Sequence, residues 1–418
     1  MSANTQSILL LTAPLMLGSG DSKASASADL LKPSEYQRLA RYLVDIGKQP
    51  EDLLSSDAEE TIDACSTVVE RARLRSLLER GLQLSQAVER WKTRAIWVVS
   101  RADAAYPRVL KSKLKARAPA VLYGCGNIEL LGMGGLAVVG SRRVSDPLVK
   151  YAEGIGSLAA RASCTVISGG ARGVDRAAMD GALRSGGRVV GVLAEEIERE
   201  AMQRLNRDPL RSGRLVLVSE YDPCSRFSIG HAMQRNKLIY ALANHALVVN
   251  SDLEKGGTWA GAVEQLDKLH LTPVFVRSTG EVNPALDALV EHGAHPWPNP
   301  SAPDNLLEQL SRAVERPTNA ESPETAPIHS TAPEVGQGPS GRSPESPADA
   351  LFRTVQDVVL SMLEEPKSET EVADLLDVTK GQVREWLKRM VDRGLILRST
   401  RPIRYSMVRR SSQAETGV

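Results

Sequence analysis

The chain has 418 residues, enough for two or three domains and a sizeable core. Its 42% hydrophobic and 25% charged residues match the globular average, which excludes a wholly disordered chain and a polytopic membrane protein. A formal net charge of +1 carries no whole-chain signature of a polyanionic partner, so any such case has to rest on local clusters.

In chain order, the apolar run Ile8 to Leu17 is too short to span a bilayer, and no Lys or Arg precedes it. It reads as a buried first helix, with a targeting role as the weaker alternative. Up to about residue 90 the apolar residues recur at helical spacing, as in Tyr36, Leu39, Leu43 and Ile46, which predicts a small helical N-terminal domain over 1–90. From Ala95 the texture changes to short β-branched runs separated by amphipathic stretches, the pattern of an α/β domain with a mostly parallel sheet covered by helices, over 91–316. Strands are expected near Ile96 to Val99, Ala137 to Gly140, Thr165 to Ser168, Arg188 to Leu193, Leu215 to Ser219, Ala246 to Asn250 and Val274 to Val276. Helices are expected near Pro147 to Ala162, Val174 to Arg184, His231 to Ala243 and Trp259 to Leu269. Residues 317–349 hold seven prolines and no aromatic residue, too little apolar surface to offset ordering, and read as a flexible linker. Beyond it, 350–410 reads as three helices and a hairpin. Ser368 and Glu371 have capping-box spacing, Thr379 is placed to cap the third helix, and Gly394 to stop it. Val383, Leu387, Met390 and Val391 share one face of that helix.

Cys65, Cys125, Cys164 and Cys224 form no C-x-x-C pair, and a reducing, cytoplasmic setting is the simple reading. The six histidines and four cysteines give no ligand-spaced set, so neither a metal nor another cofactor is expected.

Three glycine-bearing turns and one polar stretch on an otherwise apolar helix carry the chemistry. Gly140-Ser141-Arg142 follows a strand and precedes a helix, where ligands settle beyond strand ends and free N–H groups meet phosphate. Taken alone it is equally a surface turn with solvated arginines. Ser168-Gly169-Gly170-Ala171-Arg172-Gly173-Val174-Asp175 repeats the arrangement, its glycines admitting close backbone approach and Arg172 supplying charge. Asp175 is placed to cap the following helix or to hold Arg172. No Lys-Ser or Lys-Thr pair follows these glycines, so nucleotide hydrolysis of the P-loop kind is not suggested. Arg235-Asn236-Lys237 mixes charge with an amide, suited to tracking a nucleic-acid strand. Finally, Gly256-Gly257-Thr258-Trp259 opens a helix after a strand; Trp259 either packs in the core or stacks on a base.

In this order the four motifs resemble the DNA-processing protein A (DprA/Smf) family, with its G-S-R, S-G-x-A-R-G-[IV]-D, R-N-[RK]-x-I and G-[ST]-x-x-x-A elements. The likeness extends upstream to Asp103, Tyr106-Pro107, Leu110, Pro119, Leu122-Tyr123 and Gly126-Asn127. The resemblance implies a Rossmann-like core with a helical N-terminal domain and a C-terminal winged-helix-like domain. It implies a homodimer that binds single-stranded DNA and passes the strand to the RecA recombinase, with no catalytic residues. Carried over residue by residue, the pocket comprises Gly140, Ser141, Arg142, Ser168, Gly169, Arg172, Gly173, Arg235, Asn236, Lys237, Gly256 and Thr258. Two departures stand out. Phe227 precedes Arg235 by eight residues where the family has F-P-x-R-N, and Arg277-Ser278-Thr279-Gly280 replaces V-P-G after the last core strand.

Between Lys380 and Arg410 ten basic residues face two acidic ones, the footprint of a nucleic-acid contact or of a basic, protein-docking face. Two rivals to a DNA binder stand. One is a ligand sensor, whose core holds a nucleotide-like signal and whose tethered C-terminal domain regulates a promoter. The other is a nucleoside-monophosphate phosphoribohydrolase, which Gly256-Gly257-Thr258 partly echoes. Five residues separate Thr258 from Glu264, however, so the carboxylate that enzyme needs beside the developing oxocarbenium ion is missing.

Overall fold

The computed structural model describes residues 1–16 and 29–315 apart from positions 196, 227, 301 and 305. Towards the C-terminus it describes 366–376, 380–399 and 404–407, with isolated positions between 356 and 363. The chain divides into two compact units, Met1–Glu321 and Ser322–Val418. Among the described residues no helix is long and apolar enough to cross a membrane.

The first unit opens with α1 (Ala3–Thr12), capped by the Ser2 hydroxyl, which accepts the Thr5 N–H. Ile8, Leu9, Leu10 and Leu11 are buried as their hydrophobicity requires. The helix nonetheless stops short of Leu17, because Ala13 precedes Pro14 and is forced into extended backbone. Next come α2 (Pro33–Asp45), α3 (Ala58–Ala64), α4 (Arg71–Leu78) and α5 (Gly81–Thr93). In α2, Tyr36, Leu39 and Leu43 point inward, while Ile46 lies just past the helix end and is exposed. These helices share one apolar cluster with the sheet, in which Leu39, Leu74 and Trp91 meet Tyr123, Val138 and Val166. The Trp91 ring stands edge-on to Tyr123 at 5.2 Å.

The sheet follows: β1 (Ile96–Ser100), α6 (Arg108–Leu114), β2 (Val121–Gly126), β3 (Leu136–Gly140), α7 (Asp146–Arg161), β4 (Val166–Ser168), α8 (Val174–Arg184) and β5 (Val189–Val192). It continues with α9 (Ile197–Met202), α10 (Arg204–Arg211), β6 (Leu215–Ser219), α11 (Ile229–Leu242), β7 (His245–Asn250), α12 (Gly256–Glu264), β8 (Val274–Val276), α13 (Pro284–Glu291), β9 (His295–Pro296) and α14 (Leu306–Glu315). Strand order is β1-β2-β6-β5-β4-β3-β7-β8-β9. From β6 to β9 all pairings are parallel, and β1 and β2 add an antiparallel edge. This is a Rossmann-like α/β sheet. All seven expected strands are present, and β2 and β9 are additional. After β3 the chain builds outward through β4, β5 and β6, then returns through α11 to place β7 on the other flank of β3. The carboxyl ends of β3 and β7 therefore open the crevice in which such sheets bind ligands.

The second unit has α15 (Glu369–Leu376), α16 (Lys380–Asp392) and an antiparallel pair, β10 (Ile396–Arg398) and β11 (Tyr405–Met407). Val372, Val383, Leu387, Met390, Ile396 and Tyr405 form its own core. The expected capping box is made: Ser368 N–H donates to Glu371 at 2.7 Å, and Glu371 N–H to the Ser368 hydroxyl at 3.3 Å. Gly394 adopts φ +67°, the left-handed stop. Thr379, the linker 317–349 and most of the first helix expected in this part lie outside the described residues.

Candidate nucleic-acid interface

The turns after β3 and β4 interlock at the crevice. Ser141 N–H donates to the Asn250 carbonyl at the end of β7 (3.2 Å), and Val174 N–H to the Ser141 carbonyl (3.4 Å). Gly173 has φ +81°, and a Cβ there would lie 2.5 Å from the Ser141 carbonyl oxygen and 2.7 Å from that of Arg142. No other residue allows that approach. Ser168 is fully buried and its hydroxyl donates to the Val138 carbonyl (2.6 Å), so it pins β4 to β3. Arg142 and Arg172 are exposed at the rim of the two turns.

Arg235 is placed differently. It is 6% exposed on the inner face of α11, and Nη1 donates to the Val192 carbonyl (2.9 Å). Its guanidinium fills the space beside Gly169, where a Cβ would collide with it and would lie 2.7 Å from Asp175 Oδ2. Asp175 Oδ1 accepts the Gly140 N–H (3.3 Å). Burial pushes the Asp175 carboxyl up to about 6, opposed by Arg235 and by the N–H groups of Gly140, Gly169 and Ala171; burial likewise lowers Arg235. The two sequence readings of Asp175 are thus replaced by a third: it fastens the first two turns from beneath and faces Arg235, not Arg172.

The rest of that motif points elsewhere. Asn236 Nδ2 donates to the Gly257 carbonyl (3.1 Å), tying α11 to the start of α12, while Lys237 Nζ pairs with Glu264 at 3.2 Å. Gly256, exposed at φ +81°, begins α12 after the exposed Lys255, and Thr258 is half-buried. Trp259 packs against the core, edge-on to His292 at 6.0 Å, so the packing reading of this side chain holds. Ser228 to Gln234, the stretch inserted relative to F-P-x-R-N, forms the head of α11, with the Ser228 hydroxyl accepting the His231 N–H (3.0 Å). Phe227 lies outside the described residues.

The structure thus joins Gly140, Ser141, Arg142, Ser168, Gly169, Arg172, Gly173 and Arg235 into one cluster. Asn236, Gly256 and Thr258 adjoin it through Gly257, and Lys237 turns away. Arg277, where V-P-G was expected, is buried. It donates from Nε to the Val249 carbonyl (3.0 Å), and from its Nη atoms to those of Thr279 and Glu281, shaping the loop after β8. Its only sequence signal was a lone charge ending an apolar strand.

A family model described as DNA recombination-mediator protein A matches residues 97–309. The DNA processing protein DprA of Streptococcus pneumoniae is 32% identical over 142 residues, covering 33% of this chain and 49% of that protein. A putative DNA processing protein DprA of Mycobacterium tuberculosis is 29% identical over 231 residues, covering 53% and 56%. The chain therefore spans about half the length of these curated relatives. The X-ray structure of the S. pneumoniae protein superposes with a TM-score of 0.51 at 21% identity, covering 64% of this chain and 90% of that one, and shows the same fold.

Proposed function

Because this chain belongs to the DNA recombination-mediator protein A family, we propose that it binds single-stranded DNA along the crevice between the ends of β3 and β7. The observation that carries this reading is the interlocked pair of glycine turns with Arg142 and Arg172 exposed on their rim. Permanently charged, planar guanidinium groups suit backbone phosphates, and backbone freed of side chains admits a strand whose bases are splayed. The start of α12, with Gly256 and Thr258, adds unpaired N–H groups, and Asn236 forms the adjoining wall. Arg235, Asp175 and Ser168 position these turns from within.

The bound strand is handled, not cut. The turns hold no nucleophile beside a base, and Glu264 is committed to Lys237. On family grounds the protein acts as a homodimer in the cytoplasm and delivers the strand to a RecA-type recombinase, in transformation, recombination or the handling of foreign DNA. The second unit carries exposed Arg384, Lys388 and Arg393 and adds avidity through its tether.

Fluorescence anisotropy with labelled oligonucleotides at several salt concentrations tests this. Single strands should bind more tightly than duplex. Arg142→Ala or Arg172→Ala should each cost about 1–3 kcal/mol and flatten the salt dependence, while removal of 350–418 should cost less. If both alanine variants bind like the parent and the truncation abolishes binding, the crevice is not the DNA site, and the sensor reading replaces this one.

A further inference from the structure

Beside α11 lies a cleft of about 620 Å3, bounded by the ends of α1 and β6, the start of α2, the connection from α6 to β2 and, on α11, His231, Gln234, Lys237 and Leu238. Only Lys237 among the proposed DNA-binding residues reaches it. Its size falls within the roughly 300–1,000 Å3 of small-molecule sites. Two kinds of group line it. Tyr221 and His231 stack with ring centroids 3.8 Å apart and planes 17° from parallel, a ready-made aromatic platform. Arg101 and Arg117 bring positive charge, while Lys237 is already paired with Glu264.

The carboxylates in the same wall oppose these cations weakly. Asp222 is buried and already accepts the N–H groups of Met16 (3.2 Å) and Cys224 (3.0 Å). Burial pushes Glu220 up to about 7, so its charge is partly quenched near neutrality. What remains is a concave surface with a flat π-face at one wall and guanidinium groups at another.

We propose that this cleft is a second binding site, separate from the glycine-turn crevice, for a nucleotide: a planar base against Tyr221 and His231, and a phosphate held by Arg101 and Arg117. Two sources have this chemistry, a free mononucleotide and the terminal nucleotide of a DNA strand. Neither depends on the crevice reading, since the two sites share no arginine.

The test uses the full chain. Calorimetry with AMP and dTMP, and photo-crosslinking with a short 5′-phosphorylated oligonucleotide, are run on the parent, Arg101→Gln, His231→Ala and Arg142→Ala proteins, with unfolding midpoints to confirm the fold. Saturable mononucleotide binding, weakened about tenfold or more by Arg101→Gln but unchanged by Arg142→Ala, supports a free-nucleotide site. Crosslinks on the Tyr221–His231 segment that Arg101→Gln removes, with no mononucleotide binding, support the strand end as occupant. The proposal is overturned if neither probe engages the cleft, or if all binding follows Arg142 and ignores Arg101. Should His231→Ala fail to fold, the Arg101→Gln comparison alone decides. Loss of single-strand affinity in Arg142→Ala alone bears only on the crevice.

Discussion

Replacing Arg235 by Ala separates a scaffold residue from a DNA contact. The side chain is 6% exposed, donates to the Val192 carbonyl and faces Asp175 across Gly169. Breaking a buried pair by removing one partner costs about 3–5 kcal/mol when the remaining charge stays ionised. Asp175 has an escape, because its carboxyl already sits at about 6 and takes up a proton at about 1.4 kcal/mol per pH unit. At pH 5 it is mostly neutral, so the variant loses little beyond the Val192 bond and some packing, about 1–2 kcal/mol. At pH 8 the loss should approach about 3–4 kcal/mol. Urea unfolding at pH 5, 7 and 8 reads this difference. Adding Asp175→Asn should recover part of the loss at pH 8 and little at pH 5, a coupling that a double-mutant cycle isolates. Arg172→Ala, at an exposed site, should shift stability by only about 0.5 kcal/mol while weakening DNA binding. The reasoning fails if Arg235→Ala unfolds like the parent at every pH yet loses single-strand affinity as Arg172→Ala does; Arg235 would then be a DNA contact.

Three carboxylates, the buried Asp175 and Asp222 at about 6 and the half-buried Glu220 at about 7, are raised above their unfolded values by desolvation. Their contribution to stability is full below about pH 4 and is lost as pH rises through 6 to 7, so unfolding midpoints should fall between pH 5 and 8, and Glu220→Gln should flatten that decline. Gly169→Ala drives a methyl group into the Arg235 guanidinium and should lower the melting temperature and single-strand affinity together. Gly154→Ala, in open space on α7, should be neutral or stabilise by up to about 1 kcal/mol by the same melting assay. In the second unit, Ser368→Ala removes the cap of α15 and should cost about 1 kcal/mol, seen as earlier local opening in hydrogen exchange around Glu371.

The residues alone determined the alternation of strands and helices, since β-branched runs ending in glycine turns leave few other ways to bury their apolar faces. They also brought the three glycine motifs to turns that follow strands, where helix starts offer N–H groups. The strand β2, between β1 and β6, escaped because Gly124 interrupts its apolar pattern. Only the fold shows why a glycine stands there: the Trp97 indole from β1 crosses it and donates to the Gly126 carbonyl at 2.9 Å. Arg235 was half legible, for it shares the i, i+3, i+4, i+7 stripe with Leu238, Ile239 and Leu242, the face that α11 buries. Its charge made it an expected strand contact, and a charge on a buried stripe makes sense only once a partner is found; Asp175 lies sixty residues earlier in the chain. Which arginines meet solvent and which brace the turns was therefore decided by tertiary structure, because burial and pairing depend on chain segments that sequence spacing does not bring together.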